Sequence, residues 1–333
     1  MKKNSRSIKY YCRAILIAGC LFIVHNLYAQ EKAASDTPLP VKIQNDGSGK
    51  APEVNLRDAF QPEAEYYNDI ALYISGLKIK EQSKIFNLTK YDIWQQYVSV
   101  TNASWALFKK NKVKKISDWA QAEMNAVRKE RRTVFYPFSG PDFLYVHTLF
   151  PDSDAYILMG LEPVGLVPDP AALDSDSLPE FFKMLDKAIE DALTISFFKT
   201  NDMTEELGSR QLITGTVPVL MLFLARTNNK IVGMKPVEID SSGGIAYREY
   251  FAIYKGKKRF GKGVEIEFQG KNNDRTQKLY YFCADISDNG LAQHQQCKAF
   301  IDKLDSGVTT FIKSASYLMH KNYFSQMRTL ILN

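Results

Sequence analysis

The sequence predicts an α+β fold in which N-terminal and later helices pack around an antiparallel or mixed sheet with a C-terminal β-meander. Apolar residues recur with helical spacing over residues 63–131, and short strand-like runs alternate with helices over residues 134–226. Four strand-like runs then follow one another between residues 231 and 286. Helices gathered around such a sheet are typical of the α+β class.

Helices are predicted before the first strand. Three segments have helical apolar spacing: residues 63–77, 92–110 and 117–131. In the first of them Tyr66, Ile70 and Ile74 recur every four residues, so they share one helix face. Ser117 and Asp118 suit the start of the third helix, because side-chain oxygens there satisfy free backbone amides.

Strands and helices then alternate. The predicted elements are a strand at residues 134–138, a short helix at 141–150, a buried strand at 155–161, and helices at 178–198 and 217–226. If the two strands are parallel neighbours, their carboxyl ends meet at one edge of the sheet. The connection between them is short for a parallel pair.

The meander and two helices complete a predicted single domain at residues 61–333. The four runs are residues 231–240, 246–254, 263–269 and 278–286, and their short connections favour antiparallel pairing. Helices are predicted at residues 291–304 and from residue 309 to the end. The last helix stays apolar up to Asn333, so we expect the natural domain to continue beyond this residue.

The first 29 residues have the plan of a secretory signal peptide. Basic residues precede the apolar run Ala14–Val24, which is shorter than the ~20 residues that a membrane-spanning helix needs. The small residue Ala29 suits cleavage before Gln30. The run ending at Cys20 resembles a lipoprotein box, but its flanks fit less well, so lipid anchoring at Cys20 is the minority alternative.

The predicted signal peptide and the composition of the remaining chain indicate the compartment and the kind of partner. Residues 30–60 are rich in Pro, Gly and polar side chains, which predicts a disordered tether. Without residues 1–29 the chain carries 38 Lys and Arg against 37 Asp and Glu, so no nucleic-acid partner is expected. No later apolar run is long enough to cross a bilayer. We expect a protein of the periplasm or outer envelope, without a cofactor, whose partner is an envelope component or a small ligand.

Two cysteines remain after the signal segment, Cys283 and Cys297. In an oxidising compartment a disulfide between them is the leading prediction, and free buried thiols are the first alternative. His294 precedes Cys297 by three residues. One histidine and two cysteines lack a fourth zinc ligand, so no metal site is predicted.

The stretch Thr133–Phe150, TVFYPFSGPDFLYVHTLF, contains the first functional candidates. Ser139 lacks the Gly-x-Ser-x-Gly context of a hydrolase nucleophile, and Ser139 and Gly140 are candidates for a helix cap or a ligand contact. Asp142 suits the first helical turn, where a carboxylate complements the helix dipole. His147 lies about 140° around the helix from Asp142, so it is expected to pack among aromatic side chains.

Glu162 directly follows the strand 155–161, a common position for site residues. Asp142 and Glu162 at one sheet edge would suit a divalent cation or shared acid and base work. This predicts, as the alternative, an exported hydrolase-like enzyme that uses Asp142 and Glu162, with His147 as a weaker third candidate. A non-catalytic binding domain is favoured, because the sequence contains no complete catalytic or nucleotide-binding motif.

A second candidate surface is the basic stretch YKGKKRFGKG at residues 254–263. Lys257, Lys258 and Arg259 crowd a predicted hairpin tip between aromatic residues. A solvated edge loop is the ordinary explanation of such a tip. Contact with lipid phosphates or an acidic glycan of the envelope is the functional alternative.

The strings FYPFSGPDF and YILMGLEPVG resemble a family of uncharacterised exported proteins of Gram-negative bacteria. LYYFCADISDNGL and SASYLMHKNYFSQMR are similar to the same family, so the likeness covers most of residues 60–330. The resemblance implies export and transfers no activity or catalytic residue. It also implies continuation beyond Asn333.

Overall fold

The computed structural model describes residues 56–174, 176–194, 213–252, 256–270, 275–304, 307–313 and 322–332. The predicted signal segment with Ala29 and Cys20 lies outside these residues, as do residues 30–55 of the predicted tether. Helix α1 begins at Leu56, so the last residues of the predicted tether are helical.

The described residues contain a seven-stranded mixed sheet with the order β4-β3-β5-β6-β2-β1-β7. The strands are β1 (Thr133–Tyr136), β2 (Ala155–Gly160), β3 (Asn229–Ile239), β4 (Ile245–Tyr247), β5 (Lys262–Gly270), β6 (Thr276–Cys283) and β7 (Val308–Thr310). Pairing is antiparallel from β4 to β6 and parallel from β6 to β7. The α+β class is confirmed, and the four strand-like runs predicted between residues 231 and 286 form the antiparallel half of the sheet. The predicted meander order is wrong, because β5 pairs with β3 and leaves β4 at the edge.

Helices cover both faces of this sheet. They are α1 (Leu56–Ile74), α2 (Asp92–Phe108), α3 (Lys114–Glu123), α4 (Asn125–Arg128), α5 (Phe143–Leu149), α6 (Leu178–Thr194), α7 (Val217–Arg226), α8 (Asp288–Gln293), α9 (Gln295–Asp302) and α10 (Ser325–Leu332). A π-helical turn at Lys109–Val113 joins α2 to α3. None of these described helices has the length and apolar composition needed to cross a bilayer.

The predicted helix from residue 309 to the end is wrong in its first part. Strand β7 occupies Val308–Thr310 and pairs in parallel with β1. Three consecutive β-branched residues favour a strand over a helix, and pairing satisfies the backbone groups at the edge of β1. Helix α10 begins only at Ser325, and residues 314–321 lie outside the described ones.

Two connections cross the parallel half of the sheet on opposite faces. The β1–α5–β2 connection lies on the face of the main core, where Phe143 packs with Tyr156. The β6–α8–α9–β7 connection lies on the other face, where Phe300 packs with Phe282. The two connections also run in opposite directions along the strand order. Ligands of open parallel sheets bind outside the carboxyl ends of the strands at such a reversal.

The predicted disulfide is absent, because Cys283 and Cys297 are free and buried. Cys283 ends β6 and belongs to the main core, whereas Cys297 lies on α9 in the core of the other face. Side chains alternate between the two faces along a strand, so the thiol of Cys283 turns away from α9. Burial raises the pKa of both thiols to about 12, which keeps them protonated at neutral pH.

Candidate functional site

A cleft of about 590 Å³ opens at the carboxyl ends of β1, β2, β6 and β7. The segments that follow these four strands form most of its wall. They contribute Tyr136 to Gly140 and Asp142 after β1, Leu161 and Glu162 after β2, Ala284 to Ser287 after β6, and Ile312 and Lys313 after β7. Gly160 at the end of β2, Tyr323 and Phe324 complete the lining. The cleft therefore lies at the sheet edge where the crossovers reverse.

The corner after β1 is fixed to the end of β2. The backbone N–H and the hydroxyl of Ser139 both donate hydrogen bonds to the carbonyl oxygen of Met159, at 2.9 and 3.2 Å. Phe138 and Gly140 have φ angles of 58° and 53°, and Phe138 is strained there because a side chain disfavours this region. Its ring lies edge-on to Phe324, with ring centres 5.3 Å apart. Ser139 thus positions the corner, which presents Phe138 and Gly140 to the cleft.

Asp142 is buried and caps helix α5. Its Oδ1 accepts a hydrogen bond from the N–H of Tyr145 at 3.3 Å. Its Oδ2 accepts from the hydroxyl of Tyr136 at 3.0 Å and from the ammonium group of Lys313. Burial raises the pKa of Asp142, and this effect outweighs the opposing attraction of Lys313. Each carboxylate oxygen therefore has a partner within the protein.

Glu162 is also buried, at 5 % exposure, and lies beside the same corner. The hydroxyl of Tyr281 is 2.7 Å from the backbone oxygen of Glu162 and 3.3 Å from its Oε2. A Cβ atom added to Gly160 would lie 2.5 Å from Oε2, and one added to Gly140 would lie 3.3 Å from it. The two glycines therefore leave the space that this carboxylate fills.

The parallel pairing of β1 and β2, which the paired-carboxylate hypothesis assumes, is present in the structure. Asp142 and Glu162 consequently line one cleft. Three further residues contact these two carboxylates and were not predicted from the sequence: Tyr136, Tyr281 and Lys313. For the two tyrosines, the position at or near a strand end was the available signal. Lys313 had no such signal, because the segment that contains β7 and Lys313 was predicted as a helix.

His147 does not line the cleft, so the structure corrects its candidacy as a catalytic residue. Its ring centre lies 5.0 Å from that of Phe143, 5.9 Å from Tyr156 and 6.1 Å from Phe268. Its Nε2 atom is 3.4 Å from Nδ2 of Asn229. His147 thus packs within the aromatic part of the main core, on a different face of α5 from its cap.

The stability of the protein should depend on pH through His147. Burial lowers the pKa of this imidazole from 6.5 to about 4. The unfolded chain therefore binds the proton more tightly, so stability is full above the ordinary pKa and is lost as the pH falls toward 4. Relative to His147→Phe, the wild type should lose about 3 kcal/mol between about pH 7 and pH 4. Urea unfolding of both proteins across this range measures the difference, and a pH-independent difference would contradict a neutral, partly buried imidazole.

The predicted basic tip is exposed only in part. Lys257 and Lys258 are exposed on a short 3₁₀ turn at Gly256–Arg259. The ammonium group of Lys257 donates to Gln293 at 2.7 Å. Arg259 is partly buried and interacts with Cys283, where its positive charge opposes the burial that raises the pKa of the thiol. None of these basic side chains lines the cleft.

Among the described residues, the acidic side chains of the cleft do not form a group of metal ligands. Within the described ranges, no group of three or more His, Cys, Asp or Glu side chains is placed to hold a metal ion. Asp142 is moreover already paired with a lysine. Its carboxylate is therefore engaged by protein groups that a cation would have to displace.

Comparison with known proteins assigns no family. No family model, no curated protein and no solved structure matches this chain. Evidence for its function therefore comes from the cleft itself.

Proposed function

We propose that this protein is exported to the cell envelope and binds a small ligand in the cleft without transforming it. One observation carries the proposal: the cleft occupies the usual ligand position of a parallel sheet, while Asp142 has an internal partner for each carboxylate oxygen. A general base needs an oxygen that can reach the substrate. Export is tested by the mature N-terminus, which mass spectrometry should place at Gln30; an uncleaved chain in the cytoplasm would contradict it.

The composition of the wall supports a small organic ligand. The volume of about 590 Å³ lies within the range of about 300–1,000 Å³ that is common for such sites. Phe138, Ile286 and Phe324 supply apolar surface, and Glu162 and Lys313 supply charged groups. Mostly apolar walls with a few polar groups are typical of sites for small organic molecules.

Narrowing the cleft should abolish binding. Leu161 lines the cleft and is 43 % exposed, so Leu161→Trp adds bulk there without entering the core. In a thermal-shift screen of a metabolite library, a ligand at about 100 times its Kd should stabilise the wild type by about 2.7 kcal/mol. The variant should lose this stabilisation.

The matched control is Tyr250→Trp, at an exposed aromatic residue outside the cleft. This control should keep the ligand-induced rise in Tm. Equal stabilisation of the wild type and Leu161→Trp would place the ligand elsewhere and contradict the proposal.

An exported hydrolase-like enzyme is the second candidate function, and one observation favours it. Asp142 and Glu162 line one cleft, as paired acid and base groups do. A hydrolase would convert the bound compound, so mass spectrometry of the incubated ligand separates the two functions. Conversion that is lost in Glu162→Gln would establish the enzyme. An unchanged ligand after prolonged incubation supports the binding protein.

A further inference from the structure

Exposed apolar side chains are concentrated on one helical segment. Among the described residues, the exposed large hydrophobic side chains of residues 91–127 are Tyr91, Val100, Leu107, Trp119 and Val127. Val100 is 59 % exposed, Leu107 is 62 % and Trp119 is 54 %. Tryptophan is usually well buried, so exposure of more than half of this side chain needs an explanation. A group of exposed apolar side chains on one surface often marks an interaction site.

The π-helical turn brings these side chains onto one face. Leu107 and Trp119 are twelve residues apart, which in a regular α-helix places them about 120° apart. A π turn accommodates one extra residue, which reduces the angle to about 20°. Phe108 and Ala120 have the same separation, and both are buried. Burial of this second pair supports the same alignment.

The same segment has an excess of positive over negative charge. Residues 91–132 contain nine Lys and Arg and four Asp and Glu, a net charge of +5. Residues 30–333 as a whole have a net charge of only +1. Five lysines lie in or beside the π turn: Lys109, Lys110, Lys112, Lys114 and Lys115. The surface is therefore basic as well as apolar.

We propose that this face binds the surface of a membrane that contains anionic lipids. The basic apolar face consists of Val100, Leu107, Lys110, Lys115 and Trp119. Tryptophan and leucine on such a face enter the headgroup region, and long lysine side chains extend to the lipid phosphates. Each lysine near an anionic bilayer strengthens binding by about fivefold.

The outward position of this face and its exposed tryptophan favour a membrane over an acidic protein as the occupant. The exposed side chains lie along the outer side of a helix, and residues of this segment do not line the cleft of about 590 Å³. An outward helix face with both charge and interfacial tryptophan suits the plane of a bilayer. The net charge of +5 is complementary to anionic headgroups.

Vesicle binding tests the proposal on the mature chain, residues 30–333. Co-sedimentation should show binding to vesicles that contain phosphatidylglycerol, little binding to pure phosphatidylcholine, and weakening by salt. Trp94 and Trp105 are buried, so Trp119 is the exposed one of the three tryptophans. Its emission should shift to the blue on binding and be quenched by brominated lipids. Trp119→Phe should remove this quenching.

Matched pairs of exposed lysines provide the control. Lys110→Glu with Lys115→Glu should weaken vesicle binding at least about tenfold. Lys257→Glu with Lys258→Glu alters the other exposed basic turn and should keep the affinity within about twofold of the wild type. All four side chains are exposed, so both double variants should fold. Thermal melting checks this.

Three results would overturn the proposal. They are binding that does not depend on phosphatidylglycerol, equal loss of binding in both lysine pairs, and no quenching of Trp119 by brominated lipids. The last of these, together with capture of a soluble acidic protein, would assign the face to a protein partner instead.

Discussion

Replacement of Asp142 by alanine is expected to lower the free energy of unfolding by about 3–5 kcal/mol. The change removes the carboxylate that Lys313 pairs with, the acceptor of the Tyr136 hydroxyl and the cap of α5. The side chain of Lys313 is only 23 % exposed, so its charge would remain in a partly buried place without a partner. Urea unfolding measures the loss, which corresponds to a fall in Tm of about 10 °C.

Two further variants test whether the loss of stability comes from the buried charge pair with Lys313. Asp118→Ala removes an acid whose pair with Lys114 is exposed, and should cost no more than about 0.5 kcal/mol. Asp142→Asn keeps the shape and the cap while it removes the charge, so its loss should lie between the wild type and Asp142→Ala. A loss below about 1 kcal/mol for Asp142→Ala would contradict the structural role and strengthen the catalytic alternative.

Gly160→Ala should cost about 3 kcal/mol and abolish ligand binding in the cleft. The added Cβ would lie 2.5 Å from Oε2 of Glu162, and 2.8 and 2.9 Å from Cα and N of Gly140. The two contacts with Gly140 are to backbone atoms, so relief requires movement of the corner that carries Phe138. Denaturant unfolding and the thermal-shift assay measure the two effects separately.

Gly233→Ala is the matched control within another strand. Its Cβ would lie 3.0 Å from Oε2 of Glu267, the far end of a flexible side chain that can move away. We expect a cost below about 1 kcal/mol and unchanged ligand binding. If Gly160→Ala kept the stability and the ligand binding of the wild type, the corner at Gly140 would not be packed against Glu162.

Part of the candidate site could be predicted from the sequence. The apolar run at residues 155–161 and the position of Glu162 just after it are local features. With parallel pairing of β1 and β2, they placed Glu162 and Asp142 at one sheet edge, and both line the cleft. The helical position of His147, away from Asp142, likewise indicated that it would pack among aromatic rings. The inference for His147 needed only helical periodicity, whereas the one for Glu162 and Asp142 also assumed that the two strands are parallel neighbours.

Other parts could not be predicted, because they depend on pairings between distant segments. Lys313 reaches Asp142 across 171 residues of chain, through a strand of three residues whose partner is β1. A strand this short has no clear periodicity of its own. The disulfide between Cys283 and Cys297 was predicted wrongly for a related reason. Proximity in sequence does not reveal that the two thiols belong to opposite faces of the sheet.

By itself, the sequence determined the α+β class and most of the helices and strands. These properties follow from local composition and periodicity. The tertiary structure alone decided the strand order, the partners of Asp142 and the common face of Leu107 and Trp119. Strand order and register depend on contacts between residues far apart in the chain, and alignment along a helix depends on its π turn. Local residue patterns determine neither.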